Sequence, residues 1–232
     1  MKSSNRVILS IALATIGMSS GRSLFTAGAT SVTPKPPWSN LPVRTSVNPH
    51  SGAGDAINVA FEGTRTQILD DFKRAGWLPA DPLNFKNDDR LARAALHHGK
   101  YPTAPVSRQY LFGRIEDFAV EKELSSVSQR DHARFWDTGR LDPATHLELW
   151  VGAASRDIGI KIVRKHRFLF GTTHRIDGHI DAERDLIVTS MKNIGVVASV
   201  VVERGIGHVS GMRTGGGDLI TTDGNADVIV LK

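Results

Sequence analysis

No cysteine occurs anywhere in the 232 residues. That excludes a disulfide scaffold, a lipidated-cysteine anchor and thiol catalysis, so the chain is held together by its own core. Acidic residues are missing from positions 1–29, where Lys2, Arg6 and Arg22 stand among apolar and small residues. The apolar run from Val7 to Met18 is short of the roughly 20 residues that cross a bilayer as a helix. With Ala27-Gly28-Ala29 as a small-residue cleavage site, positions 1–29 are expected to be an export signal; an uncleaved membrane anchor is the alternative. Losing those three cations from 29 basic residues, against 24 acidic ones, leaves a nearly neutral protein. The pI near 9.7 therefore does not argue for nucleic acid. The G-x-S-x-G elbow, the H-E-x-x-H zinc signature and a glycine loop opening a helix are absent as well, so no reaction is named.

What is present divides along the chain. Thr30 to Gly54 is rich in Pro, Ser and Gly and reads as a linker (30–54). A folded domain is expected over 55–203, followed by a Gly-rich extension (204–232) with a strand at Asp227 to Leu231, placed at an edge. Within the domain, Ile57 to Phe61 reads as a strand, and Thr64 caps a helix carrying Ile68, Leu69 and Phe72. A second helix is expected over Asp88 to His98. Short apolar runs follow as strands at Tyr110–Arg114, Ala119–Leu124, His132–Thr138, Leu147–Ser155 and Ile158–Val163. A third helix runs from about Asp181 to Asn193, and the β-branched run Val196 to Val202 reads as a buried strand. The order argues for α+β, a mainly antiparallel sheet packed with about three helices in a single domain.

Chemistry concentrates in Thr172 to Asp185, where His174, Asp177, His179 and Asp181 lie in a loop entering the third helix. The first reading is a hydrogen-bonded loop shaping the helix entry; the alternative is a divalent metal held by these mixed ligands, although the spacing matches none of the well-characterised zinc signatures. On the helix, Glu183 falls on the apolar face and needs a partner, for which Arg134, His132 and Arg184 stand ready. Asp181 is read as the N-cap. Alternation puts His132, Arg134 and Trp136 on one strand face, and His146, Glu148 and Trp150 on one face of the next. A hairpin about Leu141-Asp142-Pro143 that pairs Trp136 with Glu148 sets Arg134 against Trp150, giving a floor of two indoles, an arginine and a carboxylate. That floor reads as a ligand platform or as a structural cation-π cluster.

N-V-A-F-E-G-T from Asn58, A-G-W-x-P-A-D-P from Ala75, Y-P-T-A-P-V-S-x-x-Y-L-F-G-R from Tyr101, H-A-R-F-W from His132, W-V-G-A-A-S-R-D from Trp150 and H-I-D-A-E-R-D from His179 together resemble the LssY C-terminal domain family over roughly Asp55 to Glu203. Arg134, Trp136, Asp157, His174, Asp177, Asp181, Glu183, Arg184 and Asp185 match its pattern, while Asp131 replaces the first histidine of its H-H-x-R-F-W motif. The resemblance implies a cell-envelope setting, since such domains follow membrane modules that include type-2 phosphatidic acid phosphatases. The P-S-G-H and S-R-x5-H phosphatase motifs are absent here, so that activity is not implied. The expected function is an exported periplasmic or secreted domain binding an envelope ligand, a phosphate-bearing lipid or glycan, with Trp136, Glu148 and Trp150 contacting it; peripheral membrane contact and membrane-protein partners fit the same setting. The first alternative is a metal-dependent hydrolase using His132, Arg134, His174, Asp177 and Glu183. The second is a non-catalytic protein-interaction domain, which expects the polar cluster to be fully paired with no pocket beside it.

Overall fold

A long antiparallel ladder organises the molecule because three consecutive segments alternate polar and apolar residues without a helix-forming period. The computed structural model describes residues 37–82, 84, 101–126, 129–166, 169–204, 211–214 and 216–232, all within the compact unit Lys35–Lys232. The expected signal at 1–29 and the expected second helix at 88–98 lie outside the described residues. In chain order the elements are β1 (Arg44–Asn48), β2 (Ser51–Ala56), β3 (Val59–Glu62), α1 (Arg65–Arg74), β4 (Leu78–Pro79), β5 (Tyr110–Leu111), β6 (Arg114–Ile115), β7 (Phe118–Ser126), β8 (Gln129–Leu141), β9 (Glu148–His166), β10 (Leu169–Ile176), α2 (Ile180–Asn193), β11 (Val197–Arg204) and β12 (Asn225–Leu231).

The larger sheet has the order β11-β12-β3-β9-β8-β7-β4, with β10 also on β9, and the smaller one β2-β1-β5-β6. Only β12 and β3 run parallel among the described pairs. One face of the large sheet packs Phe61, Phe118, Phe135 and Trp150 against Ile68 and Phe72 of α1 and Ile187 and Met191 of α2. The other packs Trp136, Leu149, Val151 and Val228 against Leu111 of the small sheet and Trp38. Gly152 lies beneath the Phe135 ring, where a Cβ would stand 2.4 Å from Cε1; only glycine admits that approach.

The expectation of a mainly antiparallel sheet packed with about three helices is corrected by this architecture: among the described residues strand far exceeds helix, in two sheets with two helices. The part of the expected linker from Arg44 onward folds as the β1-β2 hairpin, because β5 and the buried Asp55 network give a polar segment its partners. The run at Val196–Val202 is an edge, not a buried strand: β11 pairs only β12, and Val201 and Val202 are 46% and 55% exposed. β12, expected at an edge, is interior between β11 and β3. A β-branched run reports strand propensity but not its place in the sheet. Helix α1 begins as read, with the Thr64 hydroxyl accepting from the Gln67 N–H.

Candidate functional site

Three strands bring polar side chains to the face of the large sheet that looks toward the small one. Arg130, His132 and Arg134 alternate along β8, Ser155 and Asp157 along β9, and His174 comes from β10. With Asp55 of β2 and the Ser107-Arg108-Gln109 segment, these side chains, Ser155 excepted, line a partly open cavity of about 210 Å³.

Asp157 is the hub. Its Oδ2 stands 2.9 Å from His174 Nδ1, 3.2 Å from Arg130 Nε and 3.7 Å from His132 Nδ1. Burial works to raise this carboxyl, but His132, the close contact with His174 and Arg130 outweigh it and hold Asp157 below the usual carboxylate range. Arg130 also donates to Glu121 at 2.6 Å and to the Ala104 and Pro105 carbonyls. Burial pushes Glu121 up to about 8, against the pull of Arg130, since one guanidinium cannot neutralise two buried carboxylates and Asp157 has the histidines besides. His132 is lowered to about 3 by burial, against the attraction of Asp157, and is neutral at pH 7. Its Nε2 lies 3.1 Å from Ser155 Oγ. The Ser155-His132-Asp157 line repeats the connectivity of a catalytic triad, yet Ser155 is 1% exposed and is not part of the cavity wall.

At the other end of the cavity Asp55 accepts from Arg134 Nη1 at 3.2 Å and from Gln109 Nε2 at 2.6 Å. Burial raises the Asp55 carboxyl against both of these partners. Arg134 Nε donates to the Ser107 carbonyl, and its Nη2 makes no hydrogen bond among the described residues. Gln109 is placed by β1, where its Oε1 accepts from Thr45 and from the Asp55 N–H.

The expected indole floor does not form. Trp136 pairs with Val151, three residues beyond Glu148, and Arg134 with Ala153. An odd shift inverts every facing in a strand, so Trp150 and Trp136 lie in the cores on opposite sides of the sheet. The strands slip between Asp137 and Leu141, where Gly139 takes φ +67°; β8 runs to Leu141, and the chain turns at the expected place but over a longer loop, from Asp142 to Leu147. Glu148 bonds Trp150 Nε1 at 3.1 Å and the Arg65 N–H at the start of α1, a structural role. His146 sits in the turn at φ +57°.

Glu183 is buried on the helix face, as expected, but its partners are Arg156 at 3.0 Å and Asp131. Those residues alternate with the cavity residues and so face the helices. The sheet therefore separates Glu183 from His132 and His174, and a general base at Glu183 cannot serve them. Asp131 and Glu183 share Arg156, which bonds Asp131 at 2.6 Å. Burial first, then the hydrogen bond and charge of Asp131, push Glu183 up to about 8. Its folded value exceeds its unfolded one, so its contribution to stability is full below about pH 4.5 and is lost as pH rises through about 8. Glu183→Gln, which keeps the hydrogen bond, is expected to flatten the decline of the urea midpoint between about pH 5 and about pH 8; an unchanged slope would place that titration elsewhere.

The loop residues have separate duties. Asp177 accepts from the His179 N–H. His179, not Asp181, occupies the N-cap position, without a side-chain cap. Asp181 bonds the Thr222 hydroxyl and the Asp223 N–H at 2.7 Å each. Arg184 pairs Asp185, Asp223 and Asp227. Among the described residues no group of three or more His, Asp or Glu side chains is placed to hold a metal ion. His132, Arg134 and His174 are thus brought together, while Asp177, His179, Asp181 and Glu183 are not. Arg130 and Asp55 went unread in the sequence; R-x-H-x-R alternation could have found Arg130, but nothing local marks Asp55.

The family model described as LssY C-terminus matches residues 38–226. No curated protein and no solved structure matches.

Proposed function

Since the chain belongs to the LssY C-terminal family, whose membership names no reaction, we propose from the site itself that this is an exported envelope domain whose cavity grips the phosphate of a lipid or glycan. The observation that carries the reading is the wall: Arg108 and Arg134 line one partly open cavity, beside the paired Asp55 and Asp157 carboxylates. Guanidinium groups suit the geometry and charge of phosphate oxygens. At about 210 Å³ the space falls below the roughly 300 Å³ at which pockets begin to take drug-sized ligands. A single group fits it, with the rest of a larger ligand left outside. The protein-interaction alternative expects no cavity beside the polar cluster, and the cavity speaks against it. No helix among the described residues is long and apolar enough to cross a membrane.

Calorimetry with inorganic phosphate and glycerol phosphate is expected to show binding that weakens at least about tenfold in Arg108→Ala and in the paired Asp55→Asn, Arg134→Gln variant. The pair is changed together so that neither partner is left buried alone. Equal heats for phosphate and a neutral sugar, or binding indifferent to both variants, would overturn the reading.

A further inference from the structure

Resting on the anion-holding reading above, we propose that the cavity also hydrolyses the ester by which its phosphate is carried, with His174 as the general base toward water. Two imidazoles flank Asp157, and only one of them can meet a ligand. The His132 side chain is 3% exposed and spends Nε2 on Ser155. His174 is 25% exposed, lines the cavity and turns Nδ1 to Asp157 at 2.9 Å. The contact lies outside hydrogen-bond geometry as it stands, but an ionised carboxylate at that distance favours the proton on Nδ1, leaving Nε2 as the nitrogen that faces away from it. Asp157 is itself fixed by Arg130, so it is a positioning residue that aims the ring and stabilises the imidazolium when it forms. This is the base-and-orienter arrangement that general-base hydrolysis needs.

The step balances without a co-reactant. A water held in the cavity gives its proton to His174 Nε2 as its oxygen bonds to phosphorus. The bond from phosphorus to the ester oxygen breaks on the side opposite the attack, that oxygen takes a proton from solvent water, and His174 releases its proton to solvent, giving an alcohol and inorganic phosphate. Arg134, through Nη2, faces the oxygens on which charge develops.

The full chain is assayed with p-nitrophenyl phosphate, and inorganic phosphate binding is followed in parallel by calorimetry. Turnover by the parent is expected to fall about 100-fold or more in His174→Ala, with phosphate affinity within about threefold, and free imidazole is expected to restore part of the rate. Asp157→Asn is expected to lower kcat while KM stays within about threefold. Phosphate binding without turnover by the parent overturns the hydrolytic proposal and leaves the binding reading standing. Turnover indifferent to His174→Ala, loss of binding and turnover together, or no rescue by imidazole overturns it as well. Absence of phosphate binding by the parent overturns both.

Discussion

An Arg130→Met variant is expected to lose about 3–5 kcal/mol of unfolding free energy, the range for removing one partner of a buried ion pair. Arg130 is 2% exposed, and each of its guanidinium nitrogens is engaged: Nε with Asp157, Nη1 with Glu121 and the Ala104 carbonyl, and Nη2 with the Pro105 carbonyl. Methionine fills the volume but leaves Asp157 ionised in a desolvated wall and two carbonyls without donors. Changing Asp157 to Asn in the same chain is expected to recover part of the loss, because a neutral amide does not need the missing cation. Urea unfolding of the two variants at pH 7 decides it. If Arg130→Met costs under about 1 kcal/mol, or the second change worsens it, the charge at Asp157 is not what Arg130 secures.

The same cluster explains what the sequence could and could not tell. Helix α1 was readable because Thr64 and the spacing of Ile68 and Phe72 are local signals. Helix α2 was readable from Ile187 and Met191, and its buried Glu183 from the same periodicity. By contrast, β9 reads as two strands, since Ser155-Arg156-Asp157 interrupts the apolar run. In the structure it is one strand, Glu148–His166, and the interruption is the site: Ser155 and Asp157 turn to the cavity side while Arg156 turns to Glu183. Local rules fail where polar side chains serve a site rather than the core.

Which face a residue shares with another strand was not legible at all, because it depends on register. His132, Arg134 and Trp136 do share a face, as alternation requires within one strand. The partner set from β9 was inverted at the turn, which pairs Leu141 with Glu148, an odd offset from the expected register; the slip of two residues between Asp137 and Leu141 keeps that facing. One consequence is chemical. The carboxylate expected to meet His132 and Arg134 was Glu148 or Glu183, whereas those met are Asp157 and Asp55. Asp55 is the first residue of the expected domain, directly after the stretch that reads as a linker, and it is held by contacts with Gln109 and Arg134, residues 54 and 79 positions away.

The second large effect is expected at Asn58. Strand β3 pairs with β9 as far as Gly152, and β10 joins the same edge of β9 at Asp157. Ala154 lies in the gap. There the Asn58 side chain acts as a missing piece of strand: Oδ1 accepts from the Ala154 N–H at 2.9 Å, and Nδ2 donates to the Ala154 and Ile180 carbonyls at 3.0 Å each. Asn58 is 1% exposed, so water cannot substitute, and leaving the two Ala154 groups unpaired in Asn58→Ala is expected to cost about 2–4 kcal/mol. Asn58→Asp is expected to be worse, since it keeps the acceptor, loses both donations and buries a charge. The damage lies one and three residues from Ser155 and Asp157, so phosphate binding in the cavity is expected to weaken along with stability. Hydrogen exchange separates this from a general loosening: the Ala154 amide is expected to lose protection first, ahead of the amides of β8. Uniform loss across both strands would mean that Asn58 stabilises the sheet without bridging β3 and β10.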